Sequence, residues 1–226
     1  MTYRYTPLVL GALALSTTAL AEAPSPGIDW DLDDAMYQVD QQTDNFKSAM
    51  AQVSYSWSGE ETTSGTGVMF INERGDMRFS QPNGNVLLVD GDSSQAYDKA
   101  AGTVTEYRFR DHPERVEPYV RLGFSIFGDD LEDDYLMTII GEENVGDART
   151  LVFELTPKSD RVRQVVGKVK LNIDQASWMP VRQTIDSIAR KSTITITYTG
   201  MARNLQLNPD LFDDKWPKGT EKVKPE

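Results

Sequence analysis

His112 is the single imidazole in the chain, and cysteine is absent. Those two facts remove much catalytic chemistry at once. Thiolate nucleophiles and cysteine–histidine zinc sites need residues that are not there. A serine hydrolase triad would have to recruit His112 from "DHPERVEP", and no G-x-S-x-G elbow accompanies it. Phosphate-cradling P-loops and dinucleotide G-x-G-x-x-G loops are both missing. Carboxylates are plentiful, but no spacing singles out an acid–base pair for glycoside hydrolysis. The acidic run "DDLEDDY" invites calcium, yet it lacks the ligand spacing of an EF-hand, and Asp129–Asp134 reads as a solvated face. The chain therefore reads as a non-enzyme, with no catalytic residue, metal or cofactor.

What remains is binding by apolar surface, and that surface needs a scaffold. "AQVSYSWSG" sets Val53, Tyr55 and Trp57 against Gln52, Ser54 and Ser56, which is the period of a strand with two unlike faces. "TGVMFINE" is almost wholly apolar, as in a strand covered on both sides. Residues 78–107 continue as short strands cut by Pro-Asn-Gly, Asp-Gly-Asp-Ser-Ser and Ala-Ala-Gly turns. "TLVFELTP", "KVKLNID", "MPVRQTID" and "STITITYTG" resume the pattern. The last of these is the cleanest, with Ile194, Ile196 and Tyr198 alternating with threonines. Ten to twelve strands are expected. Before them, Asp29 or Asp31 can cap a helix whose stripe is Met36, Val39, Phe46 and Met50. Between the two strand groups, "HPERVEPYVRLGFSIFGDDLEDDYLMTIIG" reads as loops and short helices with an apolar side. The curved sheet has an apolar face that something must cover, either the chain itself or a guest.

Near its start the chain has Arg4, a short apolar stretch and Ala19-Leu20-Ala21, the pattern of an export signal cut after Ala21. Residues 1–21 are thus expected to be removed and residues 22–226 to form one domain in the periplasm. Acidic residues outnumber basic ones 35 to 23, so a nucleic-acid partner is not expected.

The order of pieces resembles one family, the periplasmic outer-membrane lipoprotein carriers, also called LolA-like lipoprotein-sorting proteins. The matching stretches are "NFKSAMAQVSYSWSG", "GTGVMFINERGDMRFSQP", "VLLVDGDSSQAYDKAAGTVTEY", "LEDDYLMTIIGEENVGDARTLVFELTPK", "KVKLNIDQASWMPVRQTID" and "TITITYTGMARNLQLNPDLFDDKWPKGTEKV". Its most specific marks are the Arg-Gly-x-x-Arg turn followed by Pro82, the Asp90-Gly91 turn, "FELTPK", and the closing Phe-x-x-x-x-Pro-x-Gly. The resemblance implies a mainly β fold with α, an incomplete, half-open antiparallel barrel whose helices form a lid over an apolar cavity. It also implies a monomeric carrier that takes the acyl chains of lipoproteins from an inner-membrane lipoprotein-releasing transporter to an outer-membrane lipoprotein receptor. Candidate cavity residues are Val68, Phe70, Phe79, Phe153, Leu155, Val169, Leu171, Ile194 and Ile196. Period two tells which of them share a strand face, but not which face is inner. The family's lid-latching arginine falls at Arg74, where this chain has Gly75 in place of the family's proline. Flexible Met36, Met50, Met69 and Met77 would suit a surface that repacks around a guest.

Two other readings stay open at this level. One is a periplasmic carrier or sensor of another lipid or glycolipid on the same fold. The other is a β-rich periplasmic hydrolase, for which the sequence offers no convergent polar site.

Overall fold

A computed structural model describes residues 30–59, 62–112, 115, 117–122, 124 and 129–225. The proposed export signal and its cleavage point at Ala21 lie outside them, as do Pro113, Ile126 and Phe127.

Helix α1 (Leu32–Thr43) begins where Asp31 caps it: the Asp31 carboxylate accepts from the Asp34 amide at 2.8 Å, and Asp33 and Asp34 occupy the favourable first turn. The helix is shorter than its apolar stripe suggests. Phe46 lies in the following loop and Met50 in a strand, because Lys47 and Ser48 are held by Asn204 and Leu205 at the other end of the sequence.

Six strands follow: β1 (Ser48–Ser58), β2 (Thr63–Asn72), β3 (Met77–Ser80), β4 (Val86–Asp90), β5 (Ser93–Asp98) and β6 (Thr103–Arg108). Two short helices, α2 (Glu117–Val120) and α3 (Asp129–Asp134), lead to β7 (Tyr135–Val145) and β8 (Ala148–Pro157). Helix α4 (Asp160–Arg163) joins β8 to β9 (Val166–Asp174), then come β10 (Pro180–Ser187), β11 (Ser192–Arg203), a 3-10 turn (Pro209–Phe212) and β12 (Glu221–Val223). "YLMTIIG" is therefore the start of an eleven-residue strand rather than a helix or loop.

Among the described residues all twelve strands belong to one open sheet in the order β12-β6-β5-β4-β3-β2-β1-β11-β10-β9-β8-β7. Two meanders thus run outward from a central β1–β11 pair, and the sheet does not close on itself. This is a half-open barrel with helices. The β2–β3 turn explains the glycine at position 75: its φ of 78° lies in the left-handed region, which proline cannot enter.

The pairing registers identify the inner face. One row runs across six neighbouring strands as Phe153, Leu171, Gln183, Ile196, Tyr55 and Gly65. Toward the β8–β10 end this face is fully buried. Phe153, Leu155, Val169, Leu171, Ile173 and Ile185 are at most 1% exposed and share one core with Ala35, Met36 and Val39 of α1 and with Val120, Leu122, Phe124 and Leu131 of the lid segment. Trp30 meets Trp178 edge-on at 4.8 Å, fixing the start of α1 against the β9–β10 turn. At the β1–β6 end the face is only partly covered. The chain fills one half of its own half-barrel and leaves the other hollow.

Candidate functional site

The hollow has a volume of about 480 Å³. Its walls are Val53, Tyr55 and Trp57 of β1, Met69 of β2, Met77 and Phe79 of β3, Leu87 of β4, Ala96 of β5, and Ile194, Ile196 and Tyr198 of β11, with Val120 of α2 as cover. Gln81, Asn85, Asp98 and Thr103 bring polar groups to it at the strand ends. This combination of apolar wall and few polar groups is typical of a small-ligand site, and the volume falls within the usual range for one.

Two glycines shape it. A Cβ on Gly65 would fall 2.6 Å from the Tyr55 hydroxyl oxygen, and one on Gly67 would fall 2.5 Å from both the Phe79 ring and the Ser80 carbonyl oxygen. Without side chains at these inward positions, the Tyr55 and Phe79 rings lie over β2 and meet edge-on at 6.0 Å. The Tyr55 hydroxyl accepts from Gln81 Nε2 at 2.9 Å.

The lid is held by a polar group placed in the apolar face. Gln183 is fully buried. Its Nε2 donates to the carbonyl oxygens of Leu122 at 2.5 Å and Tyr119 at 3.3 Å, while its Oε1 accepts from the Tyr198 hydroxyl. Phe124 packs edge-on against the Tyr198 ring at 4.9 Å. Burial pushes the Tyr198 phenol well above its ordinary pKa, so it stays a neutral donor. Because buried polar groups are costly when unpaired, this network gives the lid one preferred seat on β10 and β11. Leu131, 1% exposed, anchors α3 from below, while Glu132, Asp133 and Asp134 face solvent. Among the described residues no cluster of acidic or imidazole groups is arranged to hold a metal ion, and no helix is long and apolar enough to cross a membrane.

The residues singled out from sequence fall into three places. Phe79, Ile194 and Ile196 line the hollow. Phe153, Leu155, Val169 and Leu171 share the inner face, but in the half occupied by the chain's own lid and core. Val68 and Phe70 are on the opposite face of β2, and this corrects their assignment to the cavity. Met69, the residue between them, pairs with Phe79 and lines the hollow, whereas Val68 pairs with Ser80 and borders an outer trough with Gln52, Thr66 and Pro82. The strand is apolar on both faces, so alternation carries no sign there. Met50 is on that outer side too, opposite Phe70. The cavity residues not named from sequence are mainly Val53, Tyr55, Trp57, Leu87 and Ala96. The alternation of β1 is visible in the sequence, but its pairing with β11 is not.

Arg74 does not reach the lid backbone here. Its side chain is 74% exposed and pairs with Asp76 at 2.6 Å, and the Tyr119 and Leu122 carbonyls are taken by Gln183 instead. Asp76 is buried and also accepts from Asn72 Nδ2 at 2.9 Å. Its charge acts on the lid by another route: burial lowers the pKa of Arg121 in the lid segment, and Asp76 counteracts that shift.

Asp90 is raised above its ordinary 3.8, first by burial, then by the charge of Asp76 and a hydrogen bond to it. A carboxyl whose folded pKa is raised destabilises the fold as pH climbs from 3.8 through the folded value, because the unfolded chain gives up its proton first. Asp90→Asn is therefore expected to stabilise the protein at pH 7 by roughly a few tenths of a kcal/mol, since the group is largely solvent-screened. Urea unfolding midpoints should show that gain at pH 7 and none below the ordinary carboxyl pKa. Equal gains at both pH values would contradict the Asp76–Asp90 coupling.

No family model matches this chain, and no curated protein matches it by sequence. Among solved structures, an uncharacterized conserved protein from Thermus thermophilus superposes with a TM-score of 0.53 at 10% identity, over 84% of this chain and 98% of that one. The open half-barrel fold is shared with that protein. A putative outer membrane lipoprotein-sorting protein domain from Vibrio parahaemolyticus is also similar, with a TM-score of 0.45 and 12% identity over 79% of this chain and 94% of that one. A LolA superfamily protein from Nitrosomonas europaea gives a TM-score of 0.42 at 12% identity, over 79% of this chain and 97% of that one.

Proposed function

We propose that this protein is a periplasmic carrier of acyl chains, which it encloses in the hollow between β1–β6, β11 and the lid. The observation that carries the reading is an apolar cavity of about 480 Å³ under a lid fixed by one buried glutamine. The six ordered stretches that resemble lipoprotein carriers support it, as does the export pattern ending at Ala21. On this reading lipoproteins are the cargo, an inner-membrane transporter loads the carrier, an outer-membrane receptor unloads it, and the carrier is monomeric.

The energetics fit a shuttle. An acyl chain cannot cross water unaided, and each buried methylene is worth about 0.8 kcal/mol. A carrier must come close to matching the membrane without surpassing it, and a lid seated by a few hydrogen bonds can open to let cargo go.

The size of the hollow favours a second reading beside the first. An apolar cavity of about 150 Å³ holds one benzene, so the present one has room for roughly three six-carbon units, on the order of eighteen carbons. That is one long acyl chain. A single-tailed lipid fits the hollow as it stands, while a lipoprotein with several chains needs more room than about 480 Å³.

Native mass spectrometry of the exported protein tests both. An adduct of lipoprotein mass supports sorting, and an adduct of a single-chain lipid supports the second reading. Protein that carries no hydrophobic adduct and fails to bind a fluorescent fatty acid would refute acyl carriage altogether.

A further inference from the structure

The two edges of the open sheet are finished differently. At one of them, β12 is three residues long, exposed throughout and carries Lys222, which is how proteins blunt an edge against stray pairing. At the other, β7 is eleven residues long and, among the described residues, pairs only with β8. It shows Leu136, 60% exposed, and Ile140, 45% exposed. Backbone N–H and C=O groups along such an edge point away from the sheet and offer a template to another strand. The register shift between Ile139 and Gly141 ends the regular stretch, so the template is residues 135–139. It presents Leu136 and Thr138 on the outer face, with Tyr135, Met137 and Ile139 on the inner one.

Charge says what fits there. Helix α3 ends directly at this edge, and the Glu132, Asp133 and Asp134 side chains are exposed. Lys158 approaches them, but its ammonium donates to the Glu132 carbonyl oxygen and its amide to the Asp134 carbonyl oxygen at 2.8 Å. Among the described residues no ion pair takes the three carboxylates. Glu154, opposite Thr138, is paired with Lys168, while Glu142 and Glu143 farther along β7 are paired with Arg149 and Arg182. Residues 125–130, just upstream, add no basic group. A second copy of this chain is a poor occupant. Antiparallel self-pairing that sets Leu136 opposite Ile140 also sets Asp134 opposite Glu142 and Asp133 opposite Glu143, and like charges across strands repel.

We propose that residues 135–139 dock an extended segment of a partner protein, antiparallel to β7, apolar on both faces and basic at its C-terminal end. In this mode main-chain hydrogen bonds supply affinity and side chains supply choice. The antiparallel run brings the basic end to Asp133 and Asp134. The edge also borders the lid: burial first, then Tyr119 of α2 and Asp134, push the Tyr135 phenol above its ordinary pKa. Tyr119 precedes Val120, the cover of the hollow, so a docked segment lies beside that cover. The proposal stands whether or not the hollow takes acyl chains, because it is tested with a peptide alone.

The exported protein is titrated into the fluorescein-labelled peptide Val-Thr-Val-Leu-Val-Lys-Lys, blocked at both ends. Anisotropy is read at an ionic strength on the order of 10 mM, where screening is weak. One saturable site is expected. Binding should weaken about tenfold in the Asp133→Asn, Asp134→Asn double variant, and about tenfold in Leu136→Lys. These side chains are exposed, so the fold is kept. The same peptide N-methylated along its apolar stretch cannot donate to the edge and should not bind. Backbone amide resonances of residues 135–139 in the wild-type protein should move on peptide addition, a readout that needs no variant. A peptide that does not bind, an N-methylated peptide that binds as well, or amide shifts confined to other strands would overturn the proposal. So would a dimer in sedimentation that Leu136→Lys dissolves, because a second copy would then occupy the edge.

Discussion

Replacing Gln183 with leucine is expected to unseat the lid while leaving the sheet intact. Leucine is close in size and suits the apolar face, so the sheet loses little. The lid loses its two acceptor contacts at Tyr119 and Leu122, and the Tyr198 hydroxyl loses its acceptor. Each buried polar group left unpaired costs about 1–3 kcal/mol. If the lid swings out to rehydrate its carbonyls, the penalty emerges as lid opening rather than as global unfolding. Hydrogen exchange in the segment around Tyr119–Leu122 should accelerate about 100-fold, equivalent to roughly 2.7 kcal/mol. Exchange in β9 and β10 should change little. On the proposed reading as an acyl-chain carrier, lipid should enter and leave faster, with weaker retention. Unchanged exchange in the lid would show that the glutamine does not hold it.

Ala96→Trp should close the hollow from the opposite wall. Ala96 stands on the inner face of β5 between Leu87 and Thr105, and all three line the cavity. An indole there takes up roughly one third of the space, on the scale by which about 150 Å³ houses a benzene. The displaced guest carbons, about six methylenes, represent about 5 kcal/mol of gross burial. After the guest shifts and the lid adjusts, affinity for a fluorescent fatty acid is expected to fall about 100-fold, with the thermal midpoint nearly unchanged. Val68→Trp is the matched control, because its added ring points into the outer trough of β2 and should leave binding as it was. Equal affinities for wild type and Ala96→Trp would place the ligand elsewhere.

How far the sequence speaks depends on whether a feature is local. The alternation of "STITITYTG" assigns Ile194 and Ile196 to one face correctly because threonines mark the other. "TGVMFIN" has no such marker, and an inward reading of Val68 and Phe70 is out by one residue. Strand β7 is hidden by the acidic run before it and by alternating apolar residues that remain exposed at Leu136 and Ile140 on an edge strand. The fold class is legible because six turn-punctuated stretches stand in a recognisable order. The position of the hollow is not, since it depends on which half of the sheet the lid fills. That depends on contacts distant in sequence: a glutamine on β10 that reaches carbonyls some sixty residues upstream, and the packing of Leu122, Phe124 and Leu131 into the core. Gly65 and Gly67 are plain in the sequence, but their purpose needs the rings of Tyr55 and Phe79 in place.

The unequal filling of the sheet separates two tasks that many binding proteins combine. Strands β8–β10 and the residues packed on them form a solid chassis, whereas Phe79, Leu87 and Ala96 border empty space and bear little of the molecular weight of the core. A lineage can therefore enlarge, narrow or reshape the receptacle one side chain at a time while the chassis keeps the chain folded. If the hollow carries acyl chains as proposed, diversification of what it holds is limited by what the mouth admits, and hardly at all by the tolerance of the fold.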